Sequence, residues 1–238
     1  MISVVPLPPG VSVVEVPAPT LPSADTLSRI DAIWQEERER RGGRVTNGRI
    51  FSVSHRDGAT FKVWQSQYKW WIAQRRDPTL FQTLALRPLA VSGVMRLAEG
   101  LVFARRAAGN TQDPGMWELA PSGGVDQSCR RHDGTIAAAE QILVEAEEEL
   151  AIPRDAFVVP PEPIAVMEDG EDHVVDIVFE LRPGFSAMQL EGRFAAMTNR
   201  EYTDLRIASA KNFSAMIVRE GGRISAASQA LLDHIAKC

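Results

Sequence analysis

The feature that most constrains this chain is one acidic run, Val144-Glu145-Ala146-Glu147-Glu148-Glu149-Leu150-Ala151-Ile152. A helix advances about 100° per residue. A helix beginning near Thr135 therefore places Ile136, Ala139, Leu143, Ala146 and Leu150 on one core-facing stripe. Glu145, Glu148 and Glu149, spaced i, i+3 and i+4, then cluster on the opposite face, where like charges repel. A divalent cation turns that repulsion into binding, because Mg2+ takes carboxylate and phosphate oxygens. The plain alternative is a solvated acidic face, which many surface helices carry. The preceding segment, Trp117-Glu118-Leu119-Ala120-Pro121-Ser122-Gly123-Gly124-Val125-Asp126, sharpens the choice. Gly-Gly alone is a weak signal; here it sits between an apolar strand pattern and three carboxylates.

The rest of the chain bounds what that helix can serve. The 238 residues suffice for one large domain or two small ones, and 45% hydrophobic with 24% charged residues is the balance of a globular protein. A net charge of −5 at pH 7 disfavours nonspecific nucleic-acid binding. Cys129 and Cys238 match neither a metal spacing nor a disulfide framework, so a cytoplasmic setting is expected. The N-terminus has no basic region before an apolar core, and no run reaches the ~18 apolar residues of a membrane span, so no membrane partner is expected. His55, His132, His173 and His234 are scattered without zinc spacing. Neither a nucleophile elbow nor a P-loop is present.

Read in order, the chain predicts an edge strand over 11–16, since prolines on both sides exclude a central one. Ser23 or Asp25 caps a helix over 26–41 with Leu27, Ile30, Ile33 and Trp34 on one face. Gly42-Gly43 ends it, and its charged tail, 36–41, reads as a solvated helix end. Strands over 49–54 and 60–64 form a hairpin around Asp57-Gly58. A short helix over 67–75 carries Tyr68, Trp70 and Trp71, a core cluster or a stacking platform for a nucleobase. Apolar runs over 87–96 and 101–106 form a second hairpin ending in Arg105 and Arg106, either of which reaches a phosphate or is merely solvated. Strands over 164–167 and 174–181 flank the acidic turn 168–172, a source of a general base or a further ligand, or simply polar. A strand over 201–208 and amphipathic helices over 211–219 and 225–236 complete the chain.

The segment Pro121-Ser122-Gly123-Gly124-Val125-Asp126 with the acidic helix after it resembles the Nudix box, G-x5-E-x7-R-E-U-x-E-E-x-G-U with U aliphatic. Glu145, Glu148 and Glu149 stand where that family carries its metal-binding carboxylates, and Glu140 matches a common position before them. The box Arg is Val144 here, its Gly is Ala151, its first Glu falls at Ile136, and 127–134 contains an insertion of about six residues, the 20 positions from Gly124 to Val144 standing against 14 in the box. Further patches resemble a divergent branch that has an N-terminal extension and hydrolyses UDP-hexoses. They are Asn47-Gly48-Arg49-Ile50-Phe51, Tyr68, Pro88-Leu89-Ala90-Val91-Ser92-Gly93, the insertion, Ile152-Pro153 after the carboxylates, and Glu201 before a late strand.

The resemblance implies an α/β protein: a Nudix fold, its mixed sheet sandwiched between helices, over 87–238, with a small α+β N-terminal extension over 1–86. It implies a Mg2+-dependent (or Mn2+-dependent) pyrophosphohydrolase acting on a small-molecule nucleoside diphosphate derivative, and leaves a homodimer open. Glu145, Glu148 and Glu149 are then the metal ligands, and Glu145 or Glu149 handles the attacking water. Gly123, Gly124, Arg106 and Glu201 contact substrate, the glycines by letting backbone approach the phosphates. A UDP-hexose would yield UMP and a hexose 1-phosphate. The alternative is a non-catalytic Nudix-like binding or regulatory domain, suggested by Val144 and the displaced first Glu. Without the box Arg, Glu145 needs another support. Arg130 and Arg131 in the insertion are candidates to fold back onto the carboxylates or the phosphates, against the alternative of a solvated loop.

Overall fold

The computed structural model describes residues 1–110, 112–198 and 201–237, so Cys238 lies outside the described residues. It is a mixed α/β fold with a mixed sheet flanked by helices, as expected. The central hairpin is β5 (Leu89–Leu97) and β6 (Gly100–Arg106), paired through Arg96–Leu101 and Leu97–Gly100. On one side of β5 lies β10 (Val175–Leu181) in parallel, then β9 (Glu162–Asp169) antiparallel to it. On the other side, β11 (Tyr202–Ala208) pairs with β6. Two short strands complete the site end of this sheet: β7 (Trp117–Leu119) on β6, and β8 (Ser122–Gly124) on β5.

The sheet is outlined by the strands that alternation in the sequence predicts; its outermost strand is not. β1 (Ile2–Pro6) pairs antiparallel with β9 from Ile2–Asp169 to Pro6–Ala165. The division expected at residue 86 is therefore crossed at its start, because the first strand belongs to the main sheet. The rest of the extension is a three-stranded sheet in the order β2 (Ser12–Glu15), β4 (Thr60–Gln67), β3 (Arg49–Asp57), with β2 at an edge and β3–β4 as the expected hairpin. Helix α1 (Ala24–Arg40) starts where Ser23 accepts from the Thr26 amide at 3.2 Å, and stops at Gly42 and Gly43, both at positive φ. Its charged tail is not all solvated: Glu37 is buried and paired to Arg40 and Arg41.

Two cores hold the main sheet. One face packs on α4 (Ala138–Leu150) and shares a continuous cluster with the extension, in which Val13, Phe51, Phe61 and Val63 meet Leu89, Val91, Ile142 and Ala146. The other face packs Val94, Phe103 and Val178 against Phe213 and Ile217 of α6 (Ala210–Arg219) and Leu231 and Leu232 of α7 (Ala226–Ile235). The extension's helices, α1, α2 (Tyr68–Arg76) and the short α3 (Phe81–Leu84), enclose a third cluster around Ile30, Trp64, Trp70 and Leu86. Helix α5 (Ala187–Ala196), absent from the sequence reading, is announced by a capping box between Ser186 and Gln189. Among the described residues no helix is long and apolar enough to cross a membrane.

Polar ties fix the extension to the sheet. The acidic turn supplies ion pairs: Glu168 pairs with Arg56 and Arg87, and Asp172 with Arg75 at 2.8 Å. Trp71 Nε1 also donates to the Asp172 carbonyl at 3.1 Å. Buried Gln74 closes the seam by accepting from the Leu86 amide and donating to the Leu86 carbonyl, both at 2.9 Å. Gln74→Leu leaves both backbone groups buried and unpaired, a cost of about 2–4 kcal/mol. Urea unfolding is expected to show a lower midpoint by that amount at unchanged slope; a midpoint within 0.5 kcal/mol (about the noise of a neutral surface change) would contradict the seam's role.

Candidate functional site

The acidic helix is present, but its rotation differs from the sequence reading. Ala138, Ile142, Ala146 and Leu150 form the buried ridge, while Leu143 is only partly covered. The reason is a later start: Thr135 bridges to Val14 of β2 and Ile136 to Arg130 of the inserted loop, so the helix begins at Ala138. Of the three carboxylates expected on a polar face, only Glu148 is exposed; Glu145 is half-buried and Glu149 is 2% exposed.

Glu149 projects under the chain reversal between β7 and β8. Its Oε2 accepts from the Ser122 amide at 3.0 Å and lies 3.1 Å from the Tyr202 hydroxyl. Its Oε1 is buried with no hydrogen-bond partner. Tyr202, fully buried at the start of β11, also lies 2.7 Å from Glu118 Oε1. A phenol has one proton to give, so it serves one of these carboxylates at a time. Burial and the flanking carboxylates hold the phenol's pKa well above its usual range. Burial, reinforced by Glu201, Glu145 and Glu118, pushes Glu149 well above the usual carboxylate range. Glu118 is raised too, by burial, against the opposing pull of Arg106.

Glu145 lies one turn before Glu149 and is held by the amide of Gln141. Gln141, 3% exposed, donates from Nε2 to Glu145 Oε1 at 2.7 Å. Its own Oε1 accepts from Cys129 Sγ at 3.1 Å and from the Asp126 amide at 3.4 Å, which fixes the amide's orientation. Burial pushes the Cys129 thiol up, so it remains a donor. Glu145 is pushed up to about 7, first by burial and then by the charges of Glu148, Glu201 and Asp126, with Gln141 opposing.

Gly123 and Gly124 lie in β8, paired with Val91 and Ala90. A Cβ at Gly123 would sit 2.2 Å from the Glu145 carboxyl carbon, whereas one at Gly124 would meet open space. The first glycine thus admits a carboxylate against the backbone. Arg106 is engaged within the protein. It donates from Nη1 to Glu118 at 2.6 Å, from Nη2 to Glu201 at 3.0 Å and from Nε to the Gln112 carbonyl at 2.9 Å. Arg130 pairs with Glu15 on β2 and Arg131 with Glu140, so neither reaches Glu145 or Glu149; the insertion ties α4 to the extension.

The structure thus gathers Glu145, Glu149 and Glu201 with two groups the sequence reading did not single out, Glu118 and Tyr202. Neither has a local signal: Glu118 sits in a three-residue strand, and Tyr202 reaches the site only through the pairing of β11 with β6. Among the described residues no three His, Cys, Asp or Glu side chains converge on one point as they lie. The open Glu149 Oε1 nonetheless fits a hard cation: it is a carboxylate-type oxygen with no hydrogen-bond partner, in a group whose ionisation a bound cation would favour.

No family model matches this chain, and no curated protein matches it. Solved structures similar to it include DR0079 from Deinococcus radiodurans, 20% identical over 80% of this chain and 98% of that one, with a TM-score of 0.48. The MutT protein from Methanosarcina mazei Go1 is 18% identical over 63% of this chain and 93% of its own, at a TM-score of 0.45. The NUDIX domain of Shewanella oneidensis NrtR, solved with ADP ribose, is 12% identical over 68% of this chain and 97% of its own, at 0.45.

Gly123→Ala places a methyl group inside the Glu145 carboxylate's space. The variant is expected to lose most of the rise in melting temperature that Mg2+ gives the wild type relative to EDTA. An undiminished rise would separate Glu145 from cation binding.

Proposed function

We propose that this chain is a Mg2+-dependent hydrolase of nucleoside diphosphate derivatives, with a UDP-hexose as substrate, cleaved by water to UMP and a hexose 1-phosphate. The observation that carries the proposal is the buried Glu149 carboxylate with one oxygen unpartnered, one helical turn from a second raised carboxylate, Glu145. The box-like sequence around both residues supports it.

Glu149, through Oε1, and Glu145 would hold the cation, with Glu148 completing the set from the exposed side of the same helix. Bound there, Mg2+ supplies neutralisation of the diphosphate charge. The chain's own residues do the rest. Gln141 fixes Glu145 through Oε1 and leaves Oε2 to take the proton of the attacking water. Tyr202 and the Ser122 amide hold Glu149 still. Arg106 balances Glu118 and Glu201, so that the rim of the site presents less negative charge to an anionic substrate.

One observation favours a second reading: no three ligands converge in the described residues. A nucleotide-binding domain without turnover would have no need of convergence. Turnover separates the two. ADP-ribose, NADH, diadenosine polyphosphates, UDP-glucose and dNTPs with Mg2+ are assayed for mononucleotide release. UMP from UDP-glucose is expected to be the fastest product, and none is expected in EDTA. Glu149→Gln is expected to lower kcat at least ~100-fold, about 2.7 kcal/mol, without loss of stability in EDTA, because the amide replaces a carboxyl whose ionisation burial already opposes. Gln141→Leu, acting only through Glu145, is expected to cost about 10–100-fold. Binding with no turnover on any substrate would favour the second reading.

A further inference from the structure

We propose a second ligand site, in the N-terminal extension: a cavity that binds a nucleoside monophosphate, with the base against Trp64 and Trp70 and the phosphate toward Arg49. The cavity measures about 720 Å3, within the 300–1,000 Å3 typical of small-molecule pockets. It lies beside the three-stranded sheet, against Val53 and Ser54 of β3 and the end of β4. Phe61 and Val63 of β4 point to the core, while Trp64 and Ser66 line the cavity. Helix α2, α3 and the strap at 18–22 close its other sides. None of Glu118, Gly123, Glu145, Glu149 or Glu201 lines it.

Two of its walls carry unmet hydrogen-bonding groups. Trp70 Nε1 and Ser66 Oγ are buried with no partner, in side chains 6% and 4% exposed. Buried indole N–H groups normally find an acceptor, and the neighbouring indole of Trp71 does so at the Asp172 carbonyl. The indole N–H can only donate, and the serine hydroxyl donates or accepts. The complementary ligand therefore carries acceptor atoms on the edge of a flat ring that lies on indole. That is the chemistry of a nucleobase carbonyl or ring nitrogen. At the mouth stands Arg49, exposed and bonded to the Gln65 side-chain amide, with Arg87 also in the lining. A guanidinium facing an amide is available to a phosphate, which it grips bidentately. The site does not depend on the hydrolase activity proposed above.

The full chain is titrated in EDTA with UMP and with AMP, following tryptophan fluorescence and heat, with ribose 5-phosphate as a control that lacks the ring. Saturable binding of at least one monophosphate is expected, with no response to the control. Trp70→Phe keeps the ring and removes the N–H; it and Arg49→Ala are each expected to weaken binding at least about tenfold. Ser66→Ala removes the other unpartnered group, with the same expected loss, should Trp70→Phe fail to fold. Glu149→Gln is expected to bind as the wild type does, which keeps this site apart from the carboxylates. No saturation by either nucleotide at millimolar concentration, or an equal response to ribose 5-phosphate, would overturn the proposal. So would binding lost in Glu149→Gln and retained in Trp70→Phe.

Discussion

The structure around the acidic helix depends on the burial of a single carboxylate, Glu149. A carboxylate taken out of water costs several kcal/mol unless hydrogen bonds or a cation replace its hydration. Here the replacement is partial. The Ser122 amide and the Tyr202 hydroxyl serve one oxygen, and the other has nothing. Three further carboxylates, Glu118, Glu145 and Glu201, raise its pKa further. Such an arrangement is poorly suited to a purely structural role, since an apolar residue on the same buried ridge would pack at no electrostatic cost. It fits a ligand position held ready for a cation.

Around that residue the fold substitutes one kind of support for another. An Arg beside Glu145 would bring charge neutralisation along with orientation. Gln141 brings orientation alone, and it is itself fixed by Cys129 and the Asp126 amide. Glu145 therefore keeps a raised pKa where an adjacent guanidinium would lower it. The positive charge near the site is Arg106, committed to Glu118 and Glu201. Gly123 completes the arrangement by leaving room for the Glu145 carboxylate where a side chain would stand.

Much of the fold was legible because its signals are local. Ser23 and the paired glycines bound α1, Asp57-Gly58 turns the β3–β4 hairpin, and alternation marks β5, β6 and β10. What is not legible depends on partners distant in sequence. β1 is a strand only because β9 offers an edge. The pairing of Arg130 with Glu15 follows from β2 lying beside the insertion. The carboxylates at 145, 148 and 149 were legible as a group, but their rotation was not. A helix that begins at Ala138 and seats Ile142 in the core turns Glu149 inward. Glu118 and Tyr202 came from strands that meet only in the folded sheet. The capping box before α5 is a local signal, carried by Ser186 and Gln189.

The most direct test is to locate a cation. Crystals of the protein grown with Mn2+ in place of Mg2+ give an anomalous signal from the metal alone. The account predicts a peak within coordination distance, about 2.0–2.2 Å for a small divalent ion, of Glu149 Oε1, with Glu145 turned toward it. A peak confined to Glu148 on the outer surface, or no peak with Glu149 still unpartnered, would contradict it.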